Sequence, residues 1–309
     1  MPRTDISFKT SDGVTLRGWF FTPSESAMSE GAKLPCVILT HGLSCIKEMG
    51  LDDVASKFVT ELPLTCLVYD HRGFGTSDTA AHAPRQEINT WLQANDMRDA
   101  ITYAQTREEV DRSKIALWGY SLAAAEAVYV AAIDRRVKAV IALGPGMDGA
   151  EICRRLAPPH VLNGPMQAMF EMDRMARAAG NPPITVPVVN TEPGGQSVLP
   201  SPESVQFFSP WMSNASTWKN ELTLRSLDDI STFSLPMGHL KTLCPTPVFF
   251  GVATRDTNSP PDMVMAQYHQ ISEPKEFVMV DADHYQLMGS ARELLHLRET
   301  AFLKSVLCS

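Results

Sequence analysis

Residues 114–133 read KIALWGYSLAAAEAVYVAAI, and the way this stretch divides decides the fold. Lys114 to Trp118 is a short apolar run that suits a buried strand. Ser121 to Ile133 is an alanine-rich helical run. Only Gly119 and Tyr120 lie between them, so strand passes to helix through a tight turn with Ser121 at its apex. Such a turn needs small neighbours two positions from the serine, and Gly119 and Ala123 supply them. It would hold the serine hydroxyl at the tip of a sheet and aim the Leu122 N–H, at a helix N-terminus, at developing negative charge. A helix-capping serine is the plainer reading, but the strand before and the helix after favour a nucleophile.

Outward from this turn the pattern repeats. Apolar runs typical of buried parallel strands occur at Pro35 to Thr40, Leu64 to Tyr69, Val137 to Leu143, Pro247 to Val252 and Glu276 to Val280. Helical stretches lie at Leu51 to Thr60, Ile88 to Thr106, Pro261 to Ile271 and Arg292 to Val306. Ile6 to Lys9 and Val14 to Phe21, joined by Ser11-Asp12-Gly13, read as an antiparallel hairpin. The expectation is an α/β fold with a mostly parallel central sheet and helices on both faces. From Met147 to Lys241 the alternation stops. A helical Met-rich piece (Pro165 to Ala178) is followed by a Pro/Gly-rich stretch (Asn181 to Pro202) and the aromatics Phe207, Phe208, Trp211, Trp218 and Phe233. We read residues 1–146 and 242–309 as the core and 147–241 as a mostly helical lid over the carboxyl ends of the strands, where open α/β sheets bind ligands.

A serine nucleophile needs an imidazole within ~3 Å, oriented by a carboxylate. Asp256 follows the run ending at Val252, and His284 follows the run ending at Val280, so both should emerge at the same end of the sheet as Ser121. Asp283 is the rival acid, but its adjacency to His284 makes the far ring nitrogen awkward to reach. His239 falls in the insertion and His269 in a helical pattern. His41-Gly42-Leu43-Ser44 directly follows PCVILT. There the Leu43 N–H is the natural partner of the Leu122 N–H in an oxyanion hole, while His41 orients the loop. Ser44, Cys45, Tyr120, Met147 and Trp211 are candidate substrate contacts, with Cys45 read as a buried thiol rather than a nucleophile. Met147, Met166, Met169, Met172, Met175 and Met212 fit either an adaptable apolar pocket or the lid's own packing face.

Composition narrows the function classes. The chain has 309 residues, enough for a sizeable core, and its net charge is -8 with 27 Lys and Arg spread without a run, which disfavours nucleic acid. No stretch reaches the ~18 consecutive apolar residues of a membrane span, and MPRTDISFKTSDG lacks the apolar core of a secretory signal. The six cysteines lack paired CxxC spacing, so no zinc site, no disulfide framework and a reducing, cytoplasmic setting are expected. No cofactor is expected either. A carboxylate at the turn, as a dehalogenase would need, is absent because the position holds Ser121.

The segments DGVTLRGWFF (12–21), THGLSCIKEM (40–49), YDHRGFGTSD (69–78), WGYSLA (118–123), ATRD (253–256) and DADH (281–284) together resemble the α/β-hydrolase superfamily over almost the whole length. More narrowly, the chain is similar to the fungal polyketide-pathway hydrolases and transferases, the polyketide transferase family. The resemblance implies a Ser121–Asp256–His284 triad acting on an acyl thioester or ester, with a polyketide chain carried by a synthase as the expected small-molecule acyl substrate. A general carboxylesterase or peptidase with the same machinery, and a non-hydrolytic scaffold that binds or cyclises a polyketide, are the alternatives. Asp70, Arg72 and Asp78 read as a strand-end turn network.

Overall fold

The computed structural model of the protein describes residues 3–24, 31–192, 195–214, 217–235 and 237–308. Its organising element is a sheet whose two faces are both buried. In the strand β3 (Leu34–Thr40), Cys36 and Ile38 pack into one apolar cluster and Val37 and Leu39 into another on the opposite face, all of them fully buried. The period of two is why a near-continuous apolar run makes a strand here. In chain order the other strands are β1 (Arg3–Lys9), β2 (Thr15–Phe21), β4 (Thr65–Tyr69), β5 (Val110–Tyr120), β6 (Val137–Leu143), β7 (Thr185–Val186), β8 (Leu222–Thr223), β9 (Val248–Ala253) and β10 (Lys275–Val280). Among the described residues the main sheet runs β1-β2-β4-β3-β5-β6-β9-β10. The hairpin β1–β2 joins it through an antiparallel β2–β4 pairing, and the remaining pairs are parallel.

Four helices fix the middle of the sheet. The helix α1 (Leu51–Glu61) buries Val54, Ala55 and Phe58 on one face, where the C-terminal helix Arg292–Val306 adds Leu295, Phe302 and Leu303. On the other face lie α2 (Thr90–Thr106), capped by the Asn89 side chain accepting from the Leu92 N–H at 3.0 Å, and α3 (Leu122–Ile133). Ten of the residues of α3 are buried, and all of these but Glu126 are apolar, as suits a helix packed all round.

Between β6 and β9 the chain is mostly helical, with one exception to the expected pattern. Thr185–Val186 and Leu222–Thr223 pair antiparallel as a small separate ladder, which two-residue strands are too short to announce in the sequence. The Met-rich piece is also less regular than predicted. It opens with a π-helical turn, Leu162–Met166, before the α-helix Gln167–Ala178. Pro165 lies inside that turn and lacks the N–H that a regular α-turn would use, which accounts for the local widening. Part of the Pro/Gly-rich stretch, 193–194, lies outside the described residues.

The turn after β4 is held by charge. The carboxylate of Asp70 accepts from Lys47 Nζ at 2.7 Å and from the N–H groups of Lys47 and Thr76 at 2.9 Å each, with both charged side chains nearly inaccessible. Lys47 belongs to the THGLSCIKEM segment (40–49), and its buried partner explains why a lysine stands there. Arg72 forks between Asp96 and Asp12, and Arg17 pairs with Asp78 at 2.6 Å. Burial raises the Asp96 carboxyl to about 6 against the opposing pull of Arg72. Beside this network, His71 Nε2–H donates to the His41 carbonyl at 2.9 Å. Burial lowers His41 to about 3 and His71 to about 4, so both rings are neutral.

Two outcomes follow from these buried groups. Asp70→Ala should strand the Lys47 ammonium without its partner and cost about 3–5 kcal/mol in denaturant unfolding. For the histidines, the unfolded chain takes up protons below about pH 6.5 while the folded chain does not. Stability is therefore fully present above that pH and is lost as pH falls toward the folded values of about 3 and about 4. Between pH 7 and pH 5 the unfolding free energy should drop by about 1–2 kcal/mol per histidine, and His71→Gln should flatten that slope. A pH-independent unfolding midpoint over this range would contradict the neutral pair.

Candidate active site

Ser121 sits between β5 and α3 with φ 60 and ψ -121, a backbone conformation that non-glycine residues rarely adopt. Its N–H donates to the Leu143 carbonyl at 2.8 Å, tying the turn to β6. The turn closes because Gly119 has no side chain: a Cβ there would fall 2.4 Å from the Ala123 carbonyl oxygen. The loop after β3 passes equally close. A Cβ on Gly42 would lie 2.7 Å from the Ser121 Cβ, so glycine is the residue that lets the loop reach the serine. Ser121 remains partly exposed while its surroundings are buried.

The three residues expected to meet do meet. The His284 ring stands with Nε2 2.9 Å from Ser121 Oγ and Nδ1 2.7 Å from Asp256 Oδ2. A carboxylate accepts only, so Nδ1 carries the proton in the neutral ring, leaving Nε2 to accept from the serine hydroxyl. The second oxygen of Asp256 accepts from the N–H groups of Asn258 at 2.9 Å and Ser259 at 2.7 Å, an Asx turn that fixes the carboxylate plane. Asp256 and His284 are both buried. Asp283 is occupied elsewhere, accepting from the Tyr285 and Gln286 N–H groups at 3.0 and 2.9 Å. The rings of His239 and His269 pack against Tyr129 and Tyr268.

Leu43 and Leu122 both border the cleft beside Ser121. No loop or turn hydrogen bond among the described residues uses their N–H groups. The cleft encloses about 790 Å³ including its open mouth. Its far walls come from the segment between β6 and β9, through Ile152, Leu156, Val198, Leu227 and Phe233, and are apolar. Polar groups gather at the serine end as Asn258 and Ser259. Among the described residues, no three side chains of His, Cys, Asp or Glu converge as a metal site would require, and all six cysteines are free thiols. Among the described residues, no helix is long and apolar enough to cross a membrane.

The candidate substrate contacts divide. Cys45 and Tyr120 line the cleft, the former with burial holding its thiol far above the ordinary range and the latter donating its hydroxyl to the His284 carbonyl at 3.1 Å. Ser44, Met147 and Trp211 are not among the wall residues. Ser44 is buried at φ 60 and gives its carbonyl to Trp218 Nε1–H at 2.8 Å. Met147 is buried in the core and accepts from the Leu235 N–H, and Trp211 packs half-buried against that core. The methionines divide too: Met166 and Met169 line a second cavity, while Met172, Met175 and Met212 are 55%, 67% and 43% exposed.

Residues not anticipated turn out to frame the site. Tyr285 borders the cleft, exchanges a hydrogen bond with Ser204 at 2.8 Å and accepts from Asn258 at 3.1 Å. Phe208 stacks on Trp218 with centroids 5.5 Å apart and meets Tyr285 edge-on at 6.1 Å. A signal for Asn258 and Ser259 was present in the Asp256-Thr257-Asn258-Ser259 turn composition, whereas nothing local marks Ser204 or Trp218 as partners of distant loops.

Comparison with known proteins places the fold. The alpha/beta hydrolase fold family matches residues 35–177. A thiohydrolase of Eupenicillium brefeldianum is 32% identical across 98% of this chain and 94% of its own. The polyketide transferase ATR5 of Stachybotrys chlorohalonatus is 31% identical across 99% and 98%. Among solved structures, the α/β hydrolase GrgF from Penicillium sp. sh18 superposes with a TM-score of 0.83 at 27% identity, covering 100% of both chains. The chain belongs to the α/β-hydrolase superfamily and, within it, to the group that holds the fungal thiohydrolases and polyketide transferases.

Proposed function

We propose that this protein is a serine-nucleophile acyl-transfer enzyme acting on an acyl thioester or ester, with a polyketide or related acyl chain as its substrate. The observation that carries the reading is the relay of Ser121, His284 and Asp256, with gaps of 2.9 and 2.7 Å, opening on an apolar cleft. The names of the relatives, thiohydrolase and polyketide transferase, support the substrate class.

The chemistry runs in two halves. His284 Nε2 takes the Ser121 proton as Oγ bonds to the acyl carbon. The carbonyl oxygen gains the electron pair and is held by the Leu43 and Leu122 N–H groups. The pair returns as the bond to sulfur or oxygen breaks, and His284 protonates the departing thiol or alcohol. Water, or an acceptor hydroxyl or amine, then yields its proton to His284 while attacking the acyl-enzyme. Collapse releases the acid or the transferred product and returns the proton to Ser121. Asp256 keeps the imidazole in the tautomer that can accept, and stabilises the imidazolium while it exists.

Ser121→Ala should lower kcat/KM by about 10³–10⁴-fold or more, and Asp256→Asn by a comparable factor through the wrong tautomer. Incubation with acyl thioesters followed by mass spectrometry should find the acyl group on the peptide containing Ser121, and a fluorophosphonate should label the same peptide. Full turnover by Ser121→Ala would replace this reading with that of a non-hydrolytic scaffold. Preference for short activated esters over long-chain thioesters would replace it with that of a general esterase.

A further inference from the structure

A second cavity lies behind the first, within the segment between β6 and β9. It encloses about 1130 Å³ including its opening. Cys153, Leu156, Val198 and Leu227 line both cavities, so the two are separated by nothing thicker than these four side chains. They are a thiol and three branched aliphatic groups, all on the helix Gly149–Leu156, the helix Leu224–Thr232 or the loop before Pro200.

The chemistry of the second wall restricts what can occupy it. None of its residues is charged, and its polar side chains beyond the Cys153 thiol are Gln196 and Ser197. A charged head group would find no countercharge in this wall, which favours an uncharged occupant. The widened turn Leu162–Met166 contributes Leu162, Pro165 and Met166, and Met169 follows one turn later. Methionine adapts its shape to flexible apolar ligands, and π-helical turns recur at functional sites.

We propose that the second cavity is a binding site for the distal, uncharged part of a long acyl chain whose carbonyl lies at Ser121, with Leu156, Val198 and Leu227 as the gate between the two chambers. This rests on the acyl-enzyme reading above and extends it, since it makes chain length a determinant of recognition. Short chains fill the first cavity alone, and each further methylene passes the gate into apolar surroundings.

The test uses the full chain carrying Ser121→Ala, which binds without turning over, titrated calorimetrically with S-acyl-N-acetylcysteamine thioesters of increasing length. Affinity should rise about three- to fourfold per added methylene through the longer chains. Met169→Trp in the same background should flatten the rise for long chains, lowering their affinity at least tenfold relative to short ones. Met166→Ala provides a second variant, expected to extend the preference to longer chains. An affinity that plateaus once the first cavity is full, or a length series untouched by both substitutions, would overturn the proposal. The two readings separate cleanly. Length-dependent binding that Met169→Trp abolishes supports the tail site even where the protein with Ser121 intact forms no acyl adduct. Acylation of Ser121 at rates independent of chain length upholds the acyl-enzyme and ends the tail site.

Discussion

The structure depends on the close approach of two backbones at Ser121. Holding a serine at φ 60 costs on the order of 1–3 kcal/mol and persists only where neighbours leave no alternative. Here the constraint is shared. The Leu143 carbonyl pins the N–H, the helix that follows packs on Gly119, and the loop at Gly42 presses against the serine itself. Each of these contacts comes from a different strand of the central sheet, so the conformation of one residue is set by the register of β3, β5 and β6 together. The buried Lys47–Asp70 pair performs the same service one layer out, joining the loop after β3 to the turn after β4.

Much of this was legible in the sequence because the elements concerned are local. Buried parallel strands announce themselves as short apolar runs, and the tight turn at Ser121 as glycine, serine and alanine at fixed spacing. The strand-end positions of Asp256 and His284 follow from the same pattern, and the structure brings them to Ser121. Positions whose role is set by tertiary contact were not legible. Ser44 lies in the loop after β3 and reads as a pocket residue, yet its backbone turns the side chain into the interior while Trp218 takes its carbonyl. Met147 and Trp211 belong to a segment whose packing has no period, so nothing in the order of residues separates wall from filling. The ladder of Thr185–Val186 with Leu222–Thr223 joins residues more than thirty positions apart through two residues each, which is too little to leave a pattern.

The segment between β6 and β9 is tied to the loops around Ser121. It reaches the loop after β3 through Trp218 and the His284 loop through the Ser204–Tyr285 hydrogen bond, and Phe208 bridges those two anchor points. Tyr285 in turn meets Asn258, whose N–H holds the Asp256 carboxylate. Burial of the aromatic rings offsets the entropy of ordering a long irregular stretch, and the hydrogen bonds give that burial a direction.

These anchors bear on how such a protein could change its substrate. A cap that merely rested on the core could be exchanged as a cassette, with the chemistry beneath it untouched. One fastened to the loops on either side of Ser121 cannot, because a transplanted segment would have to reproduce an indole donor opposite Ser44 and a hydroxyl opposite Tyr285 before it could offer a new pocket. Diversification is then channelled into residues that touch only the apolar chambers, and the fastening points are left to the scaffold.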